Sequence, residues 1–311
     1  MGRNNTDKSL QQTKQPLAQR VKKEVQRSWP MYVMLLPAII LALIFCYAPM
    51  GGLVMAFQNY KPWLGITGSE FVGLDNFKQI FEFKESYQAI INTFIIAVSK
   101  MVLGLIFPII VALLLNEVHC KKYKSVAQTL SYLPHFVSMV VTAGIIKEFC
   151  MSDGLLNDII VLFGGSRSAL LQRPELYRTI YIVSDIWQEI GWGSIIYLAA
   201  LAGIDQQLYE AAEIDGAGRF RRMISITIPC IKGTVMIMVI FAVAGILNNN
   251  FDQIYVLQNS FNLERSEVID TYIYKIGIQQ LQFGMAAAVN ITKSFFSLAL
   301  LLLANGIVGK L

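Results

Sequence analysis

Charge is scarce in this chain. Asp, Glu, Lys and Arg make up 15% of its 311 residues, against 55% apolar. Soluble domains carry about 25% charged residues, so this balance, with its positive mean hydropathy, excludes an ordinary soluble domain and describes a polytopic membrane protein. Histidine is scarcer still. His119 and His135 lie in or beside a loop read as cytoplasmic, with no metal-ligand spacing and no nucleophile-base arrangement, which argues against a membrane glycosyltransferase or an intramembrane protease. The four cysteines, Cys46, Cys120, Cys150 and Cys230, are scattered without a Cys-x-x-Cys pair and read as free thiols without metal or disulfide. No Gly-x4-Gly-Lys-Ser/Thr stretch is present, so the chain lacks that loop for cradling phosphates. The net charge of +5 does not point to nucleic acid, because the basic residues sit in short loops between apolar spans.

What the sequence does have is long apolar runs. Six spans are predicted at about 32–57, 88–115, 126–149, 178–203, 233–257 and 284–308. The first is too long for a cleaved signal and reads as an uncleaved span. Residues 1–28 are polar, rich in Gln and Lys, and read as a disordered or partly helical cytoplasmic tail, leaving 29–311 as the transmembrane domain. Lys and Arg number about 15 in the tail, the 116–125 loop, the 205–232 loop and the C-terminus, against about 7 in the three longer loops. The positive-inside rule therefore puts both termini and the 205–232 loop in the cytoplasm. The outer connections, 58–87 and 150–176, contain short apolar runs that suggest small surface helices, either meeting a partner protein or only covering the bundle.

The 205–232 loop is a polar island with its own fold. Asp205 can cap a short helix in which Leu208, Ala211 and Ala212 share a face, and Gly216 with Gly218 lets the chain turn before Arg219, Arg221 and Arg222. The stretch Glu210-Ala211-Ala212, with Asp215 and Gly216, and the ending Ile226, Ile228, Pro229 resembles the EAA motif of binding-protein-dependent ABC importer permeases, with Ile in place of Leu before the proline. A plain cytoplasmic connector would not need the full spacing through Pro229.

Further stretches resemble the sugar-permease branch of that family, and within it the subfamily for complex oligosaccharides and polysaccharide fragments. They are Tyr47-Ala48-Pro49-Met50, Phe71-Val72-Gly73-Leu74-Asp75-Asn76-Phe77, Ala112-Leu113-Leu114-Leu115-Asn116-Glu117, Ser131-Tyr132-Leu133-Pro134-His135-Phe136 and Ser184-Asp185-Ile186-Trp187-Gln188. The resemblance covers residue 29 to the end. It implies an all-α integral membrane protein of the type I ABC importer permease fold: six transmembrane helices with a cytoplasmic coupling helix between the fourth and fifth. It implies a prokaryotic cytoplasmic-membrane location and a second, non-identical permease. It also implies two ATPase subunits that bind the ATP and Mg, and an extracytoplasmic solute-binding protein. This chain would hold no cofactor and perform no catalysis. Glu210, Ala211, Ala212, Asp215, Gly216 and Pro229 would form the contact with the ATPase.

Polar residues inside the spans mark the candidate substrate path. Thr93 and Lys100 share a face of the second span, and Asp185, Glu189 and Trp192 follow i, i+4, i+7 in the fourth. The fifth carries Asn248, Asn249, Asn250, Asp252 and Tyr255, and the sixth carries Asn290, Lys293 and Ser297. Lys100, Glu189 and Lys293 fall roughly 14–18 Å below the outer end of their spans by helical rise, near mid-membrane. Two readings of these residues stand: a buried ion-pair network, or a polar cavity where sugar faces stack on Trp187, Trp192 or Tyr255. A carbohydrate suits amides, carboxylates and aromatics, and the excess of lysine also permits an acidic sugar such as a uronic acid. The rival function is an ion-coupled secondary transporter, for which neither a clear internal repeat nor an acidic or histidine relay is visible.

Overall fold

A computed structural model describes residues 17–308, and the chain divides after Val54 into two compact units. Residues 1–16, most of the predicted tail, lie outside the described residues, and residues 17–28 continue as helix into the first span.

The first unit contains α1 (Leu17–Ala42), followed by a π-helical turn (Leu43–Tyr47) and the start of tight 3-10 turns (Ala48–Phe57). Pro30 and Pro37 lie inside α1, where each removes one backbone donor. Residues Ser28–Phe57 are long and apolar enough to cross a membrane.

In the second unit, β1 (Gln58–Asn59), the single-turn α2 (Gly65–Gly68) and β2 (Glu70–Phe71) make a small antiparallel hairpin, with Gln58 opposite Phe71 and Asn59 opposite Glu70. The short α3 (Asp75–Glu82) leads into α4 (Lys84–Glu117), at 34 residues about 50 Å long. Next come α5 (Lys121–Tyr132), a 3-10 turn (Leu133–Phe136), α6 (Met139–Phe149), α7 (Leu155–Leu162) and α8 (Pro174–Ala202). The predicted coupling stretch forms α9 (Gln206–Ile214) and α10 (Arg219–Arg222), and runs through a π-helical turn (Met223–Thr227) into α11 (Ile228–Ala244). The chain ends with α12 (Phe251–Leu257), α13 (Leu263–Ser266), α14 (Ile269–Tyr274), a π-helical turn (Lys275–Gln279) and α15 (Phe283–Val308).

The core of this unit is built on α4 against α8. Ile96, Tyr177, Tyr181, Ile254 and Val268 pack together toward the end where α8 begins, and Ala112, Tyr197, Leu201 and Ile231 toward the end where it finishes. Gly191 lets α5 lie directly on α8: a Cβ there would overlap the Ser131 carbonyl. Tyr181 and Tyr197 are buried and pack into the two clusters that include the α4 residues Ile96 and Ala112.

The all-α membrane architecture expected from the sequence is present, with three departures in the individual spans. Among the described residues four helices are long and apolar enough to cross a membrane, and a fifth candidate, Lys121–Phe136 with Met139–Phe149, is bent by 98°. The predicted third span is therefore broken, because Pro134 can donate no hydrogen bond and Val137 is extended. The predicted fifth span stops at Ala244: Gly245 ends α11 and Asn248, Asn249 and Asn250 form a non-helical link, so Asp252 and Tyr255 belong to a separate short helix. The fourth, α8, has the length of a span at 29 residues but carries Glu175, Arg178, Asp185 and Glu189, which keep it below the apolarity of the others.

Candidate functional site

The loop after α8 is organised by local chemistry. Asp205 accepts a hydrogen bond from the Gln207 N–H at 3.0 Å and so caps α9. At the other end Gly216 adopts φ +77°, Gly216 N bonds to Glu213 O at 3.0 Å and Ala217 N to Ala212 O at 2.8 Å, which is a Schellman stop. Arg222 Nη1 meets Glu213 Oε2 at 2.7 Å, and the Tyr209 hydroxyl lies 2.9 Å from Thr227 Oγ1. These contacts tie α9 to the chain that becomes α11, whose first turn holds Pro229. Glu210, Ala211 and Asp215 are exposed and Ala212 is half-buried. Around them Ile214 and Phe220 are 86% and 70% exposed, an apolar surface that the described residues leave uncovered.

Inside the helical part, Lys100 and Met101 of α4, Asp185, Glu189 and Trp192 of α8, and Met238 and Asn248 from α11 and the link after it surround a cavity of about 310 Å³. Lys100 Nζ lies 2.9 Å from Asp185 Oδ1, which also accepts from Asn250 Nδ2 at 2.6 Å, and the Asp185 side chain is only 4% exposed. One helical turn along, Glu189 Oε2 lies 3.0 Å from His135 Nδ1. The His135 ring stacks on Trp192 at 4.5 Å and 4°, with Phe136 edge-on to the same indole at 5.8 Å. The bend between α5 and α6 is what brings His135 in from the loop the sequence suggested. Gln188 Nε2 donates to the Val137 carbonyl at 2.9 Å, satisfying one of the backbone groups that the bend exposes.

The remaining predicted path residues are elsewhere. Trp187 is half-exposed on the opposite side of α8 and does not line the cavity, as two residues from Asp185 amount to roughly 200° of helix. Asn249 is buried beside the cavity, with neither side-chain Nδ2 nor Oδ1 partnered. Asp252 and Tyr255 are exposed on α12, where Tyr255 packs on Phe251 and Tyr274. Asn290 is exposed on α15. Lys293 borders a separate, almost wholly apolar cavity of about 440 Å³ and pairs with Asp270 at 2.6 Å. Both intramembrane lysines are thus paired with a carboxylate, but with Asp185 and Asp270 rather than Glu189, so Lys100, Glu189 and Lys293 do not form one network, and the Lys100–Asp185 pair is part of the cavity wall.

His135 and Asp270 belong to these clusters and were not singled out as path residues. Pro134 next to His135 was the available signal that the helix would turn there. Outside the spans, burial pushes the Cys150 thiol up to about 11, which keeps it in its unreactive form. Burial also raises the Glu267 carboxyl, partly opposed by Lys275 at 3.2 Å.

The model of the family described as "binding-protein-dependent transport system inner membrane component" matches residues 104–310. The chain is 42% identical over 289 residues to the polygalacturonan/rhamnogalacturonan transport system permease protein YteP of Bacillus subtilis (strain 168), covering 93% of this chain and 90% of that protein. Protein LplB of the same organism is 40% identical, over 90% and 88% of the two chains. Among solved structures, a bacterial ABC transporter involved in the import of the acidic polysaccharide alginate matches with a TM-score of 0.87 at 38% identity, covering 94% of this chain and 99% of that one. A bacterial alginate ABC transporter in complex with its alginate pentasaccharide-bound periplasmic protein matches with a TM-score of 0.85, also at 38% identity, over 93% and 96%.

Proposed function

The chain belongs to the family of binding-protein-dependent transport system inner membrane components, and from that premise we propose that it is the permease through which an oligosaccharide passes during ATP-driven import. The observation that carries this reading is the placement of two features along α8: a largely apolar cavity with an indole and the polar groups of Lys100, Asp185 and Glu189 in its wall, and, just past the end of the helix, a rigid helix with uncovered apolar side chains. A sugar presents C–H faces to Trp192 and hydroxyl edges to Lys100, Asp185 and Glu189, each already held in place by a partner.

In this proposal α9 seats in a groove of a separate ATPase, which binds the ATP and Mg. Ile214 and Phe220 enter as apolar anchors and Glu210 and Asp215 lie at the rim. The cap at Asp205, the Schellman stop at Gly216 and the Glu213–Arg222 pair make the loop a stiff lever. Displacement of the ATPase then reaches α8 and α11 together and switches the cavity between the two sides of the membrane. The loop and both termini face the cytoplasm, α8 serves as the fourth of six crossings, and a second, non-identical permease completes the path. A solute-binding protein delivers the sugar from outside.

An acidic sugar is favoured by the polygalacturonan and alginate named for the relatives. The lysines do not argue for it, since Asp185 and Asp270 neutralise Lys100 and Lys293.

The test is co-purification of the membrane complex. Wild type should retain an ATPase whose turnover is stimulated by loaded binding protein. Gly216→Pro with Glu210→Lys should lose both while the chain remains folded in the membrane. A wild type that brings down no ATPase and moves substrate on an ion gradient alone would overturn the reading in favour of secondary transport.

A further inference from the structure

We propose that the protein carries a second saccharide site, in the open cavity bounded by the β1–β2 hairpin, α3 and the turn ahead of α15. It lies next to the start of α4, whereas α9 lies near the other end of that 34-residue helix, beside Asn116 and Glu117. This inference rests on the oligosaccharide reading above and adds an outer station for the same class of ligand.

The cavity holds about 630 Å³, within the range of small-molecule sites, and is larger than the one beside Trp192. Its wall differs from both of the cavities among the long helices. Trp63, 77% exposed, and Tyr60 supply ring faces, Gln79, Gln280 and Gln282 supply amides, and Lys61 supplies a cation. Each glutamine offers both a donor and an acceptor, which matches the paired donor and acceptor of a sugar hydroxyl, while the rings match the C–H faces. Asp75, the carboxylate in the wall, is engaged by Lys78 at 2.9 Å, and Lys61 has no carboxylate partner among the described residues, so a uronate carboxylate would find it available.

The wall is held in place from behind. Asn76 Nδ2 donates to Ala56 O at 2.9 Å and to Gln58 O at 3.0 Å, fixing the hairpin to α3. Gly284 lets α15 press against the same strand, where a Cβ would collide with the Gln58 carbonyl. Gln58 Nε2 donates to Ile66 O at 2.8 Å and closes the 58–66 loop that carries Tyr60 and Trp63.

Two irregularities are concentrated here. Leu281, in the cavity wall, has φ +60°, the one positive value at a non-glycine among the described residues, and strained backbone of this kind persists where surroundings impose it. Gln58 Oε1, behind the wall, is buried without a hydrogen-bond donor.

The experiment uses the purified membrane complex in lipid nanodiscs, without nucleotide or binding protein, titrated with trigalacturonate by calorimetry. Wild type should bind. Trp63→Ala should weaken binding about tenfold, the loss of one ring-stacking contact, and Gln280→Ala should weaken it in the same direction. Both side chains are exposed, so each variant should elute and melt as wild type does. Trp192→Ala tests the inner cavity and should leave the Trp63-dependent binding in place. Absence of wild-type binding, unchanged affinity in both outer variants, or loss of the signal with Trp192→Ala alone would overturn the outer site. So would a Trp63→Ala complex that loses stimulation by binding protein but binds trigalacturonate normally, since the cavity would then be a protein contact. In each of these cases a wild-type complex that still imports the oligosaccharide leaves the permease reading standing. A complex without ATPase or import removes that reading and the outer site with it.

Discussion

Replacing Lys100 by Met should destabilise the protein more than replacing Lys100 and Asp185 together. The Asp185 carboxylate is 4% exposed and holds two donors, Lys100 Nζ at 2.9 Å and Asn250 Nδ2 at 2.6 Å. At an effective dielectric of about 20, the attraction between unit charges at this separation is roughly 6 kcal/mol before desolvation. Lys100→Met leaves the carboxylate with one neutral donor, and breaking a buried pair from one side typically costs about 3–5 kcal/mol. Asp185→Asn keeps the shape and leaves a lysine that is 25% exposed to the cavity, so its loss should be about 1–2 kcal/mol. With Lys100→Met and Asp185→Asn combined, no buried charge remains unpaired, and the loss should be near that of Asp185→Asn alone. The coupling between the two sites is then about 3–5 kcal/mol. Unfolding of the purified chain in mixed micelles by added SDS, followed by tryptophan emission, gives these differences directly. Additive losses, or a Lys100→Met variant as stable as wild type, would show that the pair is not formed and that Asp185 does not hold Lys100 in the cavity wall.

Gly104 borders the same cavity with nothing within 4 Å of a Cβ, so Gly104→Leu should narrow the cavity and reduce import while leaving the SDS midpoint unchanged; normal import would show that sugar does not pass there. Gly191→Ala should lose about 1–3 kcal/mol or more because the Ser131 backbone cannot yield, whereas Gly193→Ala meets only the Pro108 ring at 3.1 Å and should lose less, both read by the same SDS titration. Glu267 has a folded pKa raised by burial, so its contribution to stability is fully present below the ordinary 4.5 and is lost as pH rises through the raised value. Glu267→Gln should therefore gain stability relative to wild type as pH is raised from below 4.5 toward neutrality, and a pH-independent difference would contradict this.

The α9 loop was legible because its code is local. An aspartate before a helical face, a glycine three residues past Glu213 and a proline opening the next helix each act within one or two turns, and each is found performing that role. The long helices were legible as apolar runs, although their breaks were not. Val137 to Val141 are as apolar as the segments around them and Gly245 to Leu247 as apolar as α11 before them, so hydropathy runs straight through the bend after Pro134 and past the end of α11 as far as Asn248. The Lys100–Asp185 pair joins residues from two helices whose packing runs through Gly193, Tyr181 and Tyr197, and no periodicity within one helix contains that information. Periodicity did contain the placement of Trp187, since a residue two along from Asp185 cannot share its face.

The bend at Val137 has a consequence for how the chain is made. The ribosome completes α5 and α6 long before it reaches Gln188, whose side chain caps the Val137 carbonyl. Until α8 arrives, the interrupted segment carries a backbone acceptor with no donor, an arrangement that hydrocarbon does not tolerate. Residues 121–149 therefore cannot settle as a finished crossing when they leave the insertion machinery; they wait at the channel or the interface and are drawn in with α8 as a pair. Nascent chains arrested before residue 188 would keep this segment accessible to water-borne reagents, and the same segment would become protected once synthesis passes the end of α8 at Ala202.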